Sequence, residues 1–280
     1  MILSRARRRT LSFGLQTLFG VRKRGFFIPM RHAATGEGYA ARPFDALAPL
    51  FAAAEPRIAA HLARIEAYRD DLAALQGPAP EPRFDQTWFP RLDAAALYAL
   101  VRDAAPARIV EVGSGHSTRF LSRAIRDGDL ATSLTAIDPE PRADLAGLPL
   151  TLVRRTLQDA GLAPFADIAS GDLVMVDSSH VLMPGTDVDV ILNHVVPRLP
   201  AGTFLAFHDI FLPNPYPPAW PFTIYNEQNA VAPLLQGRAE IVFASAHLVA
   251  AMADRLAGTA VAAMPLAEGA RESLLLLRLR

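Results

Sequence analysis

Arg108-Ile109-Val110-Glu111-Val112-Gly113-Ser114-Gly115-His116-Ser117-Thr118-Arg119-Phe120-Leu121 runs from a strand through a glycine turn into a helix. The apolar run Ile109-Val110-x-Val112 suits a parallel strand covered on both faces. Gly113 and Gly115 allow a tight turn and a close approach of backbone to ligand, and Ser117 or Thr118 is placed to cap the helix. Such a turn offers backbone N–H groups and a helix N-terminus to a nucleotide or a carboxylate. The stretch points to a nucleotide-type cofactor in a doubly wound sheet.

Outward from it, strands and helices alternate. A helix near 91–104 precedes the strand at 108–112, and a helix at 117–126 follows. Further strands are expected at 133–138, 150–154, 172–177, 203–209, 241–243 and 273–279, with helices at 186–197 and 225–236. Alternation of this kind gives an α/β fold: a mostly parallel, seven-stranded sheet with helices on both faces. Ahead of it, residues 1–43 form a basic arm, ending in the turn Thr35-Gly36-Glu37-Gly38. Residues 44–84 form a helical extension and a Pro-rich linker, and 85–280 the ligand-binding domain. Leu47, Leu50, Phe51, Ile58, Leu62, Ile65, Leu72 and Leu75 recur at helical spacings, with a break into shorter helices expected at Pro49 and Pro56.

The 280 residues are 51% hydrophobic and 20% charged, as in an ordinary globular protein with a large core. Lys plus Arg and Asp plus Glu number 28 each, so no global charge favours nucleic acid, and none is expected as a partner. With no cysteine, disulfides, thiolate metal sites and a cysteine nucleophile are excluded. No segment is apolar enough for a membrane span or a cleaved signal peptide, so a cytoplasmic protein is expected. Arg5, Arg7, Arg8, Arg9, Arg22, Lys23, Arg24 and Arg31 all precede the first acid, Glu37. Basic flanks around Leu11-Ser12-Phe13-Gly14-Leu15-Gln16-Thr17-Leu18-Phe19 suit peripheral contact with an anionic membrane. The other reading of the arm is simple packing on the main domain.

In an open α/β sheet, ligands bind beyond the carboxyl ends of the strands. Here those ends carry Glu111, Asp138, Asp177 and His208-Asp209. A single acid at a strand end is usually a turn or cap, but several at one edge point to a site. Asp138 can accept ribose hydroxyls, as can the acid of a dinucleotide fold. The turn discriminates, because Gly113-Ser114-Gly115-His116-Ser117-Thr118 lacks the third glycine of G-x-G-x-x-G.

Val110-Glu111-Val112-Gly113-Ser114-Gly115, Ala136-Ile137-Asp138-Pro139 and Val176-Asp177-Ser178-Ser179-His180 resemble the class I S-adenosylmethionine-dependent methyltransferases. The chain is more closely similar to a bacterial small-molecule subgroup of the family 24 type. That likeness is carried by Gly25-Phe26-Phe27-Ile28-Pro29, Trp88-Phe89-Pro90-x-Leu92-Asp93, the glycine turn, Phe207-His208-Asp209-Ile210-Phe211-Leu212-Pro213 and Asn226-Glu227-Gln228. It implies a Rossmann-like sheet with the last strand antiparallel. It also implies S-adenosylmethionine across the first two strand ends. Glu111, Gly113, Ser114 and Gly115 would line its methionine and ribose portion, and Asp138 would take the ribose hydroxyls. Gln158 and Asp159 would approach the adenine, and Asp177 the reacting centre. His116 and Ser117 complete the expected cofactor set.

Methyl transfer to an amine or hydroxyl needs a proton removed, by a general base or with help from a metal. His180, His208 and Asp209 are the candidate catalytic residues. Asp177, His208 and Asp209 are the candidate ligands of a divalent metal, although a histidine is an unusual partner for a hard ion such as Mg²⁺. Trp88, Phe89, Tyr216, Trp220 and Tyr225 are placed to wall an acceptor pocket. The expected activity is methyl transfer to an oxygen or nitrogen of a small-molecule acceptor, with a homodimer contact through the extension as a further expectation. Two other functions stay open: a non-catalytic binding module acting at a membrane or partner surface, and a nicotinamide-dependent oxidoreductase.

Overall fold

The computed structural model describes residues 5–25, 42–217 and 225–280. Phe26, Phe27, Ile28, Pro29, Arg31, the turn at 35–38, Pro218, Trp220 and Pro221 lie outside the described residues. The chain divides into two compact units, Met1–Arg42 and Pro43–Arg280. The first carries helix α1 (Arg5–Leu18).

In the second unit a seven-stranded sheet runs in the order β3-β2-β1-β4-β5-β7-β6. Its strands are β1 (Arg108–Val112), β2 (Ser133–Ile137), β3 (Thr151–Val153), β4 (Leu173–Val176), β5 (Phe204–Phe207), β6 (Ala239–Ala244) and β7 (Leu275–Leu279). Strands β1 to β5 pair in parallel, whereas β7 is antiparallel to both β5 and β6. The sheet is therefore Rossmann-like with its last strand antiparallel. Every side chain of β4 is buried, as a central parallel strand covered on both faces demands.

Register decides where the chemistry lies. Val112 sits opposite Ile137 on one side and Val176 on the other, and Val176 sits opposite Phe207. The four strands thus end level, so the residues that follow them (Gly113, Asp138, Asp177 and His208) meet at one edge. Chain order reverses at β1, which places this edge at the switch point where doubly wound sheets bind ligands.

Helix α2 (Ala48–Ala67) turns Phe51, Ala54, Ile58, Leu62 and Ile65 inward, and α3 (Arg69–Ala73) adds Leu72. Helices α4 (Arg91–Ala104) and α5 (His116–Asp127) flank β1 in sequence. Residues 92–101 of α4 are all buried, most of them small or apolar. The buried apolar side chains of these helices share one core with the sheet. The expected break in α2 does not occur. Pro49 lies in the first turn, where its missing N–H is no loss. Pro56 lies on the exposed face, where the carbonyl it leaves unpaired reaches water.

Beyond the short α6 (Leu157–Ala160), the helix expected at 186–197 is a composite. It consists of α7 (Asp187–Val190), a π turn over Ile191–Val195 and a 3₁₀ turn over Val196–Arg198. Thr186 caps its start by accepting the Asp189 N–H. The helix expected at 225–236 is α8 (Glu227–Val231) followed by a 3₁₀ turn through Gln236. Between β6 and β7 lie three short helices that the sequence pattern did not announce: α9 (Ser245–Ala251), α10 (Ala253–Leu256) and α11 (Ala260–Ala263).

Candidate active site

The turn after β1 is built from its own side chains. Gly113 has φ +81°, and a Cβ there would stand 1.9 Å from the Asp177 carbonyl oxygen. Only glycine fits, and the same contact fastens the turn to the end of β4. The Ser114 N–H and hydroxyl both donate to Asp138 Oδ2, at 2.6 and 3.0 Å, and the Glu140 N–H donates to Oδ1 at 2.7 Å. Glu111 is fully buried. Its two oxygens accept from the hydroxyls of Ser117 and Thr118, each at 2.6 Å. Thr118 Oγ1 in turn accepts the Gly115 N–H at 2.9 Å, so it caps α5 from inside the first turn. Burial pushes the Glu111 carboxyl up to about 8 against the pull of the two hydroxyls.

At the start of α5, burial, together with Arg119 and Arg83, pushes His116 down to about 4. Its Nδ1 is buried without a hydrogen-bond partner, as is Ser178 Oγ beside Gly113. Gln158 and Asp159 are exposed on α6. Their hydrogen bonds run to Gly185 and Thr156 rather than to the turn.

The ends of β4 and β5 carry a second constellation. His180 Nε2 lies 3.4 Å from Asp177 Oδ1 and 3.5 Å from Asp209 Oδ2, and its Nδ1 lies 2.8 Å from Glu227 Oε2. His208 Nδ1 lies 3.4 Å from both Asp177 Oδ1 and Asp209 Oδ1, and its Nε2 is 3.1 Å from Asp93 Oδ2. His180 and Asp209 are both held at positive φ, 59° and 57°. Strain of this kind persists only where the surroundings over-determine the backbone. Here Asp187 accepts the Ser179 N–H at 2.9 Å, and the Asn226 N–H donates to the His180 carbonyl at 3.1 Å.

Charge explains the titration of the group. Burial alone would lower His180, but Asp177, Glu227 and Asp209 raise it to about 10. His208 is likewise buried, and Asp209 and Asp177 hold it well above its ordinary value. Burial raises Asp177, yet the two imidazoles outweigh that and keep it below the usual carboxylate range. Burial wins at Asp209 and at Glu227, whose carboxyls are both raised.

The candidate ligand set differs from the expected one. The donor atoms of Asp177, His180 and Asp209 all lie within 4.8 Å of one another, so His180 stands where His208 was expected. His208 instead links Asp93 to the two strand-end aspartates. Asp93 and Glu227, both fully buried, pair with the two histidines and were not among the candidate site residues. Asp93 accepts the N–H groups of Ser273 and Leu274 and so ties α4 to the start of β7. Its signal in the sequence is an acid among Leu92, Ala94, Ala95 and Ala96, since a charge on such a face needs partners. Glu227 follows the cap position of a short helix, and spacing alone does not mark it.

Of the aromatic residues expected around the mouth, Phe89 is core: it is 1% exposed and packs on Phe120 and His208. Tyr225 stacks on His180 with centroids 4.5 Å apart, and Tyr216 meets Tyr225 edge-on. Trp88 is exposed and carries the Arg142 guanidinium over its ring at 4.7 Å.

Residues 110–210, from within β1 to the residue after Asp209, match the family model described as a methyltransferase domain. No curated protein matches the chain. Among solved structures it is similar to the S-adenosylhomocysteine-bound methyltransferase PaMTH1 of Podospora anserina, at 14% identity and TM-score 0.43, covering 91% of this chain and 99% of that one. It is also similar to an O-methyltransferase of Bacillus cereus in complex with S-adenosylhomocysteine, at 13% identity and TM-score 0.42, covering 78% and 91%. A third likeness is to the O-methyltransferase TomG of Streptomyces achromogenes, at 17% identity and TM-score 0.39, covering 78% and 89%.

Residues 110–210 thus carry a methyltransferase domain, and the sheet order and glycine turn agree with that match. The matched stretch takes in the glycine turn together with Asp177, His180, His208 and Asp209, whereas Asp93 and Glu227 lie outside it. The nicotinamide-dependent alternative falls with that match and with the missing third glycine.

Proposed function

We propose that the enzyme transfers a methyl group to an oxygen or nitrogen of a small-molecule acceptor, at a centre formed by Asp177, His180 and Asp209. The observation that carries this reading is the contact between Gly113 and the Asp177 backbone. It sets the glycine turn and an acid–histidine cluster side by side at one sheet edge. His180 is 2% exposed, Asp209 12% and Asp177 25% in their side chains. Burial of that degree suits a slim acceptor group.

The turn fits S-adenosylmethionine by its unfilled bonding capacity. Ser178 Oγ and His116 Nδ1 are buried polar atoms awaiting a partner, and Asp138 Oδ1 has room for more than the Glu140 N–H. Asp138 would take ribose hydroxyls, and Gly113, Ser114 and Gly115 would line the methionyl portion with Ser117 and Glu111 bracing them from behind. Gln158 and Asp159, on α6, would approach the adenine. When bound, the cofactor supplies a methyl group on a sulfonium, an activated leaving group. The chain's own part is to align the acceptor in line with that methyl and to ease loss of the acceptor proton.

Two carboxylates and an imidazole also form a divalent-metal donor set. Glu227 on the far nitrogen of His180 is the partner that orients a ligating imidazole. The mixed donors favour a borderline cation such as Mn²⁺, Fe²⁺ or Zn²⁺ over Mg²⁺. Such an ion would orient an acceptor oxygen and make its proton more acidic. A histidine base is less well supported, because His180 and His208 each meet carboxylates at both nitrogens. Membrane contact and homodimerisation are independent of this chemistry.

The test is calorimetry with S-adenosylmethionine, followed by labelled-methyl transfer into a metabolite mixture with and without EDTA. Cofactor binding with metal-restorable transfer is the expected result. Failure to bind S-adenosylmethionine would sink the cofactor placement; EDTA-resistant transfer would remove the metal and leave the acid–histidine centre.

A further inference from the structure

The N-terminal arm combines two properties that the methyl-transfer chemistry does not use. It holds no acid before Glu37, while Arg5, Arg7, Arg8, Arg9, Arg22, Lys23, Arg24 and Arg31 are all basic. It also presents an apolar row. Leu11, Leu15 and Leu18 stand four and then three residues apart on α1, which stacks them on one helix face. They are 53%, 44% and 56% exposed, and Phe19 and Val21, just past the helix, are 77% exposed each.

The other face is organised differently. Phe13 lies between the guanidinium groups of Arg9 and Arg24, each 5.1 Å from its ring centroid. The Arg24 N–H donates to Thr17 Oγ1 at 2.9 Å, so the chain leaving the helix folds back along that polar face. Within the arm, basic groups gather around Phe13 and the leucine row is left uncovered.

We infer that this arm is a membrane-surface anchor, in which α1 lies flat on an anionic bilayer. The leucine row enters the boundary between headgroups and acyl chains, and the arginines meet lipid phosphates. The helix does not span: no helix among the described residues is long and apolar enough to cross a membrane. Charge decides between a bilayer and a second copy of the arm, because two acid-free arms repel. The apolar row decides between a bilayer and nucleic acid, because phosphate binding alone leaves exposed leucines without a role.

The experiment is co-sedimentation of the full chain with vesicles of phosphatidylglycerol in phosphatidylcholine, against vesicles of phosphatidylcholine alone. Binding to the anionic vesicles only is expected. Arg8→Ser with Arg9→Ser should weaken it about thirtyfold, taking roughly one factor of five to six per arginine near the surface. Leu11→Gln with Leu15→Gln should weaken it at least about tenfold. Leu18→Gln with Phe19→Ser removes apolar surface at the helix end, and guards against loss of the helix in the first pair. Circular dichroism and the melting temperature of each variant report whether the rest of the chain is unchanged. Equal binding to both vesicle types, or none, would overturn the proposal. So would leucine variants that bind like the parent, or an RNA oligonucleotide bound regardless of the leucines. Self-association in ultracentrifugation that vanishes with the leucines, without vesicle binding, would assign the row to a second copy.

Discussion

The turn after β1 and the cluster after β4 and β5 both bury carboxylates at the same sheet edge, yet they satisfy them in opposite ways. Around the turn, Glu111 and Asp138 accept from hydroxyls and amides: Ser117, Thr118, Ser114 and the Glu140 backbone. All these donors are neutral, so the two carboxylates are met without a cation, while His116 Nδ1 and Ser178 Oγ stay open for a ligand. Around the cluster, Asp93, Asp177, Asp209 and Glu227 surround two imidazoles. That group is short of positive charge and is settled only by bound protons or by a cation. One region is a cradle of neutral donors and the other is a receptor for charge.

The comparison breaks most completely at the point where the regions touch. Gly113→Ala would drive a Cβ to 1.9 Å from the Asp177 carbonyl oxygen, at a φ of +81° that alanine resists. Backbone on both sides must move, so a loss of at least about 3 kcal/mol is expected, with cofactor affinity and turnover failing together. Thermal melting and calorimetry would show it. An alanine variant that melts and binds like the parent would mean that the two regions are not mechanically joined.

Substitution within the cluster should separate them. Asp177→Asn is expected to lower transfer by about 10²-fold or more while leaving S-adenosylmethionine affinity within a few-fold, because the turn's hydrogen bonds do not use that carboxylate. Removal of metal with EDTA should produce the same split, and Mn²⁺ or Zn²⁺ should reverse it. Equal losses in binding and turnover would show that the cofactor leans on the cluster. A smaller effect is expected from Glu227→Gln. Its amide still reaches His180 Nδ1 but no longer offers a carboxylate there, so metal affinity or turnover should fall about 10- to 100-fold. A parallel metal titration and a turnover assay would separate this from a fold defect.

Legibility in the sequence follows the same division. The turn was readable because its parts are local: Glu111, Ser117 and Thr118 lie within one strand–turn–helix unit, and Asp138 ends the next strand. The acids and histidines at the ends of β4 and β5 were readable because parallel strands in level register must bring their ends together. Asp93 was not, since its contact with His208 joins residues 115 apart in sequence through the seating of α4 on the sheet. Glu227 meets His180 across a loop in the same way. The place of His180 in the candidate donor set belongs to this class too. His180 and His208 both follow strands, and only the positive φ of His180 and the reach of Glu227 turn its Nε2 toward Asp177 and Asp209. The unbroken α2 shows packing overriding propensity: an inward row from Phe51 to Ile65 holds the helix through Pro56.

The finest test of the comparison is a pH titration of the cradle itself. If burial outweighs the pull of the two hydroxyls, Glu111 should fold as the acid, with one hydroxyl turned to accept its proton and the carboxyl held at about 8 against an ordinary 4.5. Between those values the folded chain keeps a proton that the unfolded chain has released. Stability should therefore fall as pH rises through this window, by at most about 1.4 kcal/mol per pH unit, and level off above it. Below the window both states are protonated and this group contributes no slope. Glu111→Gln carries no such proton and can still pair with both hydroxyls. It should match the parent near the bottom of the window and become progressively more stable than it toward the top, in denaturant midpoints measured across the range. Parallel curves would mean that Glu111 keeps its charge in the fold, and that the cradle shares the cluster's demand for a cation.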